Sequence, residues 1–186
     1  MAITIDYYFA PNSPWTYLGH ARFADIAREA GATVNVKPVN YGVIFPQSGG
    51  LPLEKRAPQR QAYRFAELKR WREHLGVALI LQPKHFPVDS APAAQLIAGA
   101  PEGKRMALAG DLLAAIWRDD RNLADPELLK DIGARHGVAA GDKAKFDAFT
   151  QEALGRGVFG APSYVYKNEL FWGQDRLDFL EQALQK

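Results

Sequence analysis

The chain of 186 residues contains no cysteine. That absence excludes disulfide frameworks, thiolate zinc sites, CxxC redox chemistry and any cysteine nucleophile. Thiol chemistry, if it occurs here, must use a thiol brought by a ligand. A dominant charge is also missing. With 23 basic and 21 acidic residues the net charge is +2, which gives no electrostatic case for nucleic acid or a membrane surface. No apolar run approaches the roughly 20 residues needed to span a bilayer. The start, MAITIDYYFAPN, lacks a basic n-region and an apolar h-region and carries Asp6, so a cytoplasmic location is expected. There is no phosphate-cradling loop or dinucleotide fingerprint. His20, His74, His85 and His136 show no paired ligand spacing, and no metal is expected.

What is present describes one sizeable soluble domain, with 47% hydrophobic and 24% charged residues. A chain of this length buries roughly 70% of the surface its unfolded form exposes, so it needs no staple. Ala2 to Phe9 is rich in Ile, Thr and Tyr and predicts a strand. A turn follows at Ala10 to Ser13. Pro14 to Ala30 then has helical spacing, with proline in its first turn and Gly31 just beyond its end. Thr33 to Pro38 predicts a second strand. Tyr41 to Pro58 is expected to be a loop. Helices are predicted over Pro58–Leu75, where Tyr63, Phe65, Leu68, Trp71 and Leu75 carry the spacing, and near Pro92–Ala100, Gly103–Trp117, Pro126–His136 and Lys143–Arg156. Ser163–Tyr166 and Leu170–Trp172 flank a tight turn and predict a hairpin, followed by a helix over Asp175–Leu184. The order is β-α-β, a long helical block, then β-β-α. Neither β half can bury its apolar faces alone, so the two are expected to pair into one sheet across the insertion. The expected fold is α/β: a thioredoxin-like domain (1–40 and 157–186) interrupted by an all-helical insertion (41–156).

In this outline Ser13-Pro14-Trp15-Thr16 opens the first helix. Unpaired amides and the positive end of the helix dipole favour an anion there, a thiolate included. The Ser13 hydroxyl could donate to a ligand thiolate or could simply cap the helix, and spacing alone favours the cap. No G-x-S-x-G surrounds Ser13 and no partner histidine is indicated, so hydrolase chemistry is a poor fit.

Three segments, FAPNSPWTYLG, GVFGAPSYV and FWGQDRLDFL, resemble the 2-hydroxychromene-2-carboxylate isomerases and their relatives, the kappa-class glutathione transferases. Both groups belong to the DsbA-like branch of the thioredoxin superfamily. The resemblance runs nearly the whole chain and includes PQRQAYRFAELKRW, HFPVDS and AIWRDDRNLADPELL in the helical block. It implies a DsbA/kappa-class architecture, a homodimer and glutathione as cofactor. Ser13 matches the serine that hydrogen-bonds the glutathione sulfur, and Thr16 the second position of that motif. Pro162 matches a cis-proline, which exposes the backbone of Ala161 to the cysteinyl part of glutathione. Gln174 and Asp175 match the segment that holds the γ-glutamyl end, with Asp175 able to pair with the α-ammonium.

The helical block is expected to form the other wall. Glu54 to His74 carries seven basic and three acidic residues. Arg60 stands where the family commonly has a lysine near glutathione or substrate and could grip a carboxylate. For Arg56, Arg64, Lys69, Arg70 and Arg72 a solvated helix face is the stronger expectation. Trp15 and Phe45 are the candidates to line an aromatic-substrate pocket. The chain departs from the family at Gly50, where relatives often have asparagine. The implied activity interconverts 2-hydroxychromene-2-carboxylate and trans-o-hydroxybenzylidenepyruvate, an unsaturated aromatic keto acid, in naphthalene-type catabolism. The rivals are a kappa-class-like transferase that releases its conjugate and a non-catalytic module that binds glutathione or a peptide.

Overall fold

The computed structural model describes residues 2–185. Four strands, β1 (Thr4–Phe9), β2 (Thr33–Pro38), β3 (Ser163–Tyr166) and β4 (Glu169–Trp172), form one sheet in the order β2-β1-β3-β4. β1 runs parallel to β2, with Tyr7 opposite Val36. It runs antiparallel to β3, with Tyr7 opposite Tyr164, and β3 runs antiparallel to β4. The β3–β4 connection is a two-residue turn in which Lys167 and Asn168 take φ of +49° and +65°. Positive φ at both positions matches the right-handed twist of the flanking strands. The two ends of the chain therefore do share a sheet, as burial requires.

Eight α-helices accompany the strands among the described residues: α1 (Pro14–Glu29), α2 (Tyr41–Ser48), α3 (Pro58–Leu75), α4 (Ala91–Gly99), α5 (Glu102–Trp117), α6 (Pro126–Arg135), α7 (Lys143–Gly155) and α8 (Leu177–Leu184). Asp125 caps α6 by accepting from the Glu127 amide, with Pro126 in the first helical position. The expectation of a loop over Tyr41–Pro58 is corrected. Asn40 accepts from the Gly42 amide at 2.9 Å and starts α2, which ends at Gly49 with φ +73°. Tyr41 and Ile44 bury one face of this short helix, and that packing outweighs the Pro46 inside it. The last helix is also corrected: Gln174–Arg176 is a 3-10 turn, and the α-helix begins at Leu177.

β1 is covered on both faces, so it reads as a nearly continuous apolar run. Ile5, Tyr7 and Phe9 join a core with Phe23 of α1, Leu68 of α3, Leu108, Leu112 and Trp117 of α5, and Leu177 and Leu180 of α8. The helical insertion thus shares its core with the sheet. Tyr8 points the other way, into a smaller cluster with Ile44, Ala153 and Val165. On that side Lys37 donates to Asp6 at 2.7 Å and to Glu152 at 2.6 Å, and the Tyr8 hydroxyl donates to Glu152 at 2.7 Å. These bonds fasten α7 to the sheet.

His20 joins the two parts on the main-core side. Its Nε2 lies 3.0 Å from the Met106 carbonyl, and its Nδ1 lies 3.1 Å from the Tyr7 hydroxyl. A carbonyl only accepts, so this network assigns the proton to Nε2 and leaves Nδ1 to accept from Tyr7. Burial lowers the His20 pKa to about 4, so the ring is neutral at pH 7.

Candidate functional site

The β1–β3 register decides which segments meet. Tyr8 lies opposite Ser163, so the residues before β3 lie beside the residues after β1. Ala161 and Pro162 therefore flank the Ala10–Ser13 turn, and Ala10 and Ala161 pack in the same cluster. The Gly173 amide donates to the Pro162 carbonyl at 2.9 Å and brings the 173–176 turn to the same place. Three segments far apart in the chain thus converge at the end of β1. The resemblance singled out these same three.

Ser13 is the N-cap of α1. Its Oγ accepts from the Thr16 amide at 3.2 Å, and its own amide donates to the Ala10 carbonyl at 3.1 Å. A hydroxyl carries one proton and two lone pairs. The cap uses a lone pair, and the proton remains free to be donated outward. Cap and ligand donor are therefore compatible roles, where the sequence posed them as alternatives. Thr16 is fully buried beneath the turn, and its Oγ1 has no partner among the described residues.

The Ala161–Pro162 peptide is cis. The loop before it is held from two sides, because the Gly160 carbonyl accepts from the Tyr41 hydroxyl and from the Ser163 hydroxyl, each at 2.7 Å. Tyr41 belongs to α2, so the helix that the sequence did not indicate helps to fix this loop.

Gln174 and Asp175 differ in exposure. Gln174 is 2% exposed and its Oε1 has no partner among the described residues. A Cβ added at Gly19 would lie 2.6 Å from the Gln174 Cβ, so this side chain is pressed against α1. Only a glycine on α1 permits that approach. The Gln174 side chain packs on α1 and keeps its Oε1 unpaired among the described residues. Asp175 is half-buried and accepts from Arg176 at 2.8 Å, so an incoming ammonium would compete with that guanidinium.

Trp15 and Phe45, the expected wall residues, pack on different clusters. Trp15 packs at the edge of the main core, while Phe45 packs with the smaller cluster and against Tyr41 at 5.4 Å between ring centroids. A Cβ on Gly50 would strike the Phe45 ring. Glycine at this departure from the family pattern is therefore what lets Phe45 lie where it does. Arg60 is exposed in the first turn of α3.

The stripe of α3 keeps Leu68, Trp71 and Leu75 as expected and differs in its first turn. Tyr63 is 60% exposed, whereas Arg64 is 8% exposed and lies one turn before the fully buried Leu68. Arg64 is corrected from a solvated position to a buried one. The sequence signal was available: positions 64, 68, 71 and 75 follow the helical repeat, and Arg64 is a charge on the apolar stripe. Asn12 was also missed; its Nδ2 donates to the Val88 carbonyl at 3.0 Å and ties the Ser13 turn to the loop before α4. The described residues hold no group of three or more His, Cys, Asp or Glu placed to bind a metal, and no helix is long and apolar enough to cross a membrane. A surface hollow of about 250 Å³ lies between α5 and α6, lined by Asp111, Arg118, Arg121 and Arg135, away from the converging segments.

Comparisons with known proteins agree with this fold. The DSBA-like thioredoxin domain pattern matches residues 4–185. The 2-hydroxychromene-2-carboxylate isomerase of Sphingobium xenophagum is 28% identical, over 99% of this chain and 99% of its own length. The enzyme of the same name from Pseudomonas putida is 25% identical, over 97% of this chain and 93% of its own. A crystallised 2-hydroxychromene-2-carboxylate isomerase superposes with a TM-score of 0.82 at 23% identity, covering 98% of this chain and 94% of its own. The cytosolic disulfide reductase DsbM of Pseudomonas aeruginosa, solved with GSH, superposes with a TM-score of 0.63 at 22% identity, covering 98% of this chain and all of its own.

Proposed function

The chain belongs to the DSBA-like thioredoxin-domain family, and from that premise we propose that it is a glutathione-dependent isomerase of the 2-hydroxychromene-2-carboxylate type. The curated relatives bear that name along nearly their whole length. A DsbA-like fold that has lost both sulfurs of its redox motif has no disulfide chemistry of its own. The observation that carries the proposal is the Ser13 cap: a hydroxyl fixed at the start of α1 with its proton left over, in a chain without cysteine.

The residues present fit glutathione. Bound there, glutathione would supply a thiolate able to add to a conjugated carbon and leave again, which makes rotation about the former double bond easy. Ser13 donates its hydroxyl proton toward the sulfur, and the first amides of α1 add the positive end of the helix dipole. Each pKa unit of such stabilisation corresponds to about 1.4 kcal/mol. Ala161, held by Tyr41 and Ser163 through Gly160, offers its backbone to the cysteinyl part. Asp175 and the adjoining turn receive the γ-glutamyl end. A basic group on α3 receives the carboxylate of an aromatic unsaturated keto acid.

The test is an ultraviolet difference titration of the glutathione complex, wild type against Ser13→Ala. The thiolate band should rise well below the free thiol value of about 8.5, and Ser13→Ala should shift it up by a unit or more. A wild type without a thiolate band near neutral pH refutes catalysis through a bound thiol. Product analysis then separates isomerase from transferase, since only the latter consumes glutathione.

A further inference from the structure

Arg64 is the anomaly of this fold. The residue is 8% exposed, and its Nη2 is buried without a hydrogen-bond partner among the described residues. Burial first, and then the like charge of Arg56, draws its pKa down to about 10, which still leaves it charged at pH 7. Its guanidinium lies 5.2 Å from the centroid of the Phe86 ring and 5.7 Å from that of Phe65. A buried cation that keeps an unpaired N–H and has a like charge for a neighbour is destabilising. Fixed aromatic faces offset part of that and hold the planar group in one orientation.

The position ties this cation to the candidate site. Phe86 leads through Pro87 to Val88, whose carbonyl holds Asn12, the residue before Ser13. Trp15, Phe86 and Val88 all pack on the same core cluster. Arg64 is thus linked through Phe86 and the Val88–Asn12 bond to the start of the Ser13 turn, whereas the turn assigned to the γ-glutamyl end meets α1 at Gly19.

Building on the isomerase proposal, we propose that Arg64, and not the exposed Arg60, is the substrate-binding residue that takes the carboxylate of the aromatic keto acid. The planar fork accepts a carboxylate through two parallel N–H donors and so fixes the orientation of the acid as well as holding it. The missing partner of the apo fold is then supplied by the ligand.

The test uses phenylpyruvate as probe and its amide as the uncharged control, titrated calorimetrically without glutathione. Wild type should prefer the acid. Arg64→Met should weaken acid binding roughly 30-fold or more, leave the amide unchanged, and leave glutathione binding unchanged. Arg64→Lys, which keeps charge without the fork, should recover part of the loss. Arg64→Met should also melt at or above the wild-type temperature, because it removes an uncompensated buried charge. Equal acid binding by wild type and Arg64→Met overturns the proposal. So does equal loss of acid and amide, a wild type that binds neither, or a loss confined to glutathione. Because no thiol is involved, a wild type that binds the acid through Arg64 but forms no thiolate would refute the glutathione mechanism and leave this carboxylate site standing.

Discussion

Acid should loosen the joint between sheet and helical insertion at His20. The ring is neutral in the fold, with its pKa lowered to about 4 by burial, whereas it titrates near 6.5 in the unfolded chain. Above pH 6.5 neither state binds the proton and His20 contributes no slope. Between pH 6.5 and 4 the unfolded state alone binds it, so stability falls as pH falls, by about 1.4 kcal/mol per unit. Below about pH 4 both states are protonated and the slope ends. From pH 7.5 to 4.5 the loss due to this residue is about 2.5 kcal/mol. At a urea m-value of about 2 kcal/mol/M that moves the midpoint by roughly 1 M. The measurement is urea unfolding at both pH values for wild type and His20→Gln, which keeps an amide donor and an acceptor but cannot titrate. Groups common to both proteins cancel in the difference, and the wild type should lose the extra 1 M. Equal pH dependence in the two proteins would refute the assignment of a neutral, buried His20 bridging Tyr7 and Met106. So would a ring proton resonance of His20 that moves between pH 7.5 and 5.5.

Lys37→Met leaves Asp6 and Glu152 without their shared cation and should cost about 3 kcal/mol in chemical denaturation. Ser13→Ala should cost about 1 kcal/mol without any ligand, because the cap to the Thr16 amide is lost. A Ser13→Ala protein that keeps full stability would mean that the 3.2 Å contact carries no weight. Gly50→Asn should force the Phe45 ring aside, lowering stability by about 1–3 kcal/mol and changing affinity for aromatic ligands. Unchanged melting and ligand affinity would show that Phe45 is free to swing away.

Much of the fold was legible because local patterns and burial agreed. Alternation marked β2, Asp125-Pro126 marked the start of α6, and two sets of strands too small to stand alone implied one sheet. Where local signals conflicted with packing, packing won. Gly42, Pro46 and Gly49 read as a loop, yet the Asn40 cap and two buried side chains make α2. Tyr63 reads as core and Arg64 as solvated, yet Arg64 lies on the stripe of Leu68, Trp71 and Leu75 and is buried, while Tyr63 is exposed. The helical repeat of positions 64, 68, 71 and 75 places Arg64 on that face, but residue type alone reads a tyrosine as core and an arginine as surface.

The sequence by itself determined that this chain has no sulfur nucleophile, that a serine opens its first helix, and that a glycine–alanine–proline segment precedes a late hairpin. Those are facts of residue identity and spacing, and no packing changes them. Only the tertiary structure decided that these segments meet, because the β1–β3 register puts Ala161 and Pro162 beside the Ser13 turn across some 150 residues of chain. Only the structure, likewise, left Ser13 a free proton and Arg64 a missing partner. Whether a polar group is satisfied depends on what surrounds it in space, and for these two the surroundings come from parts of the chain that the local sequence does not contain.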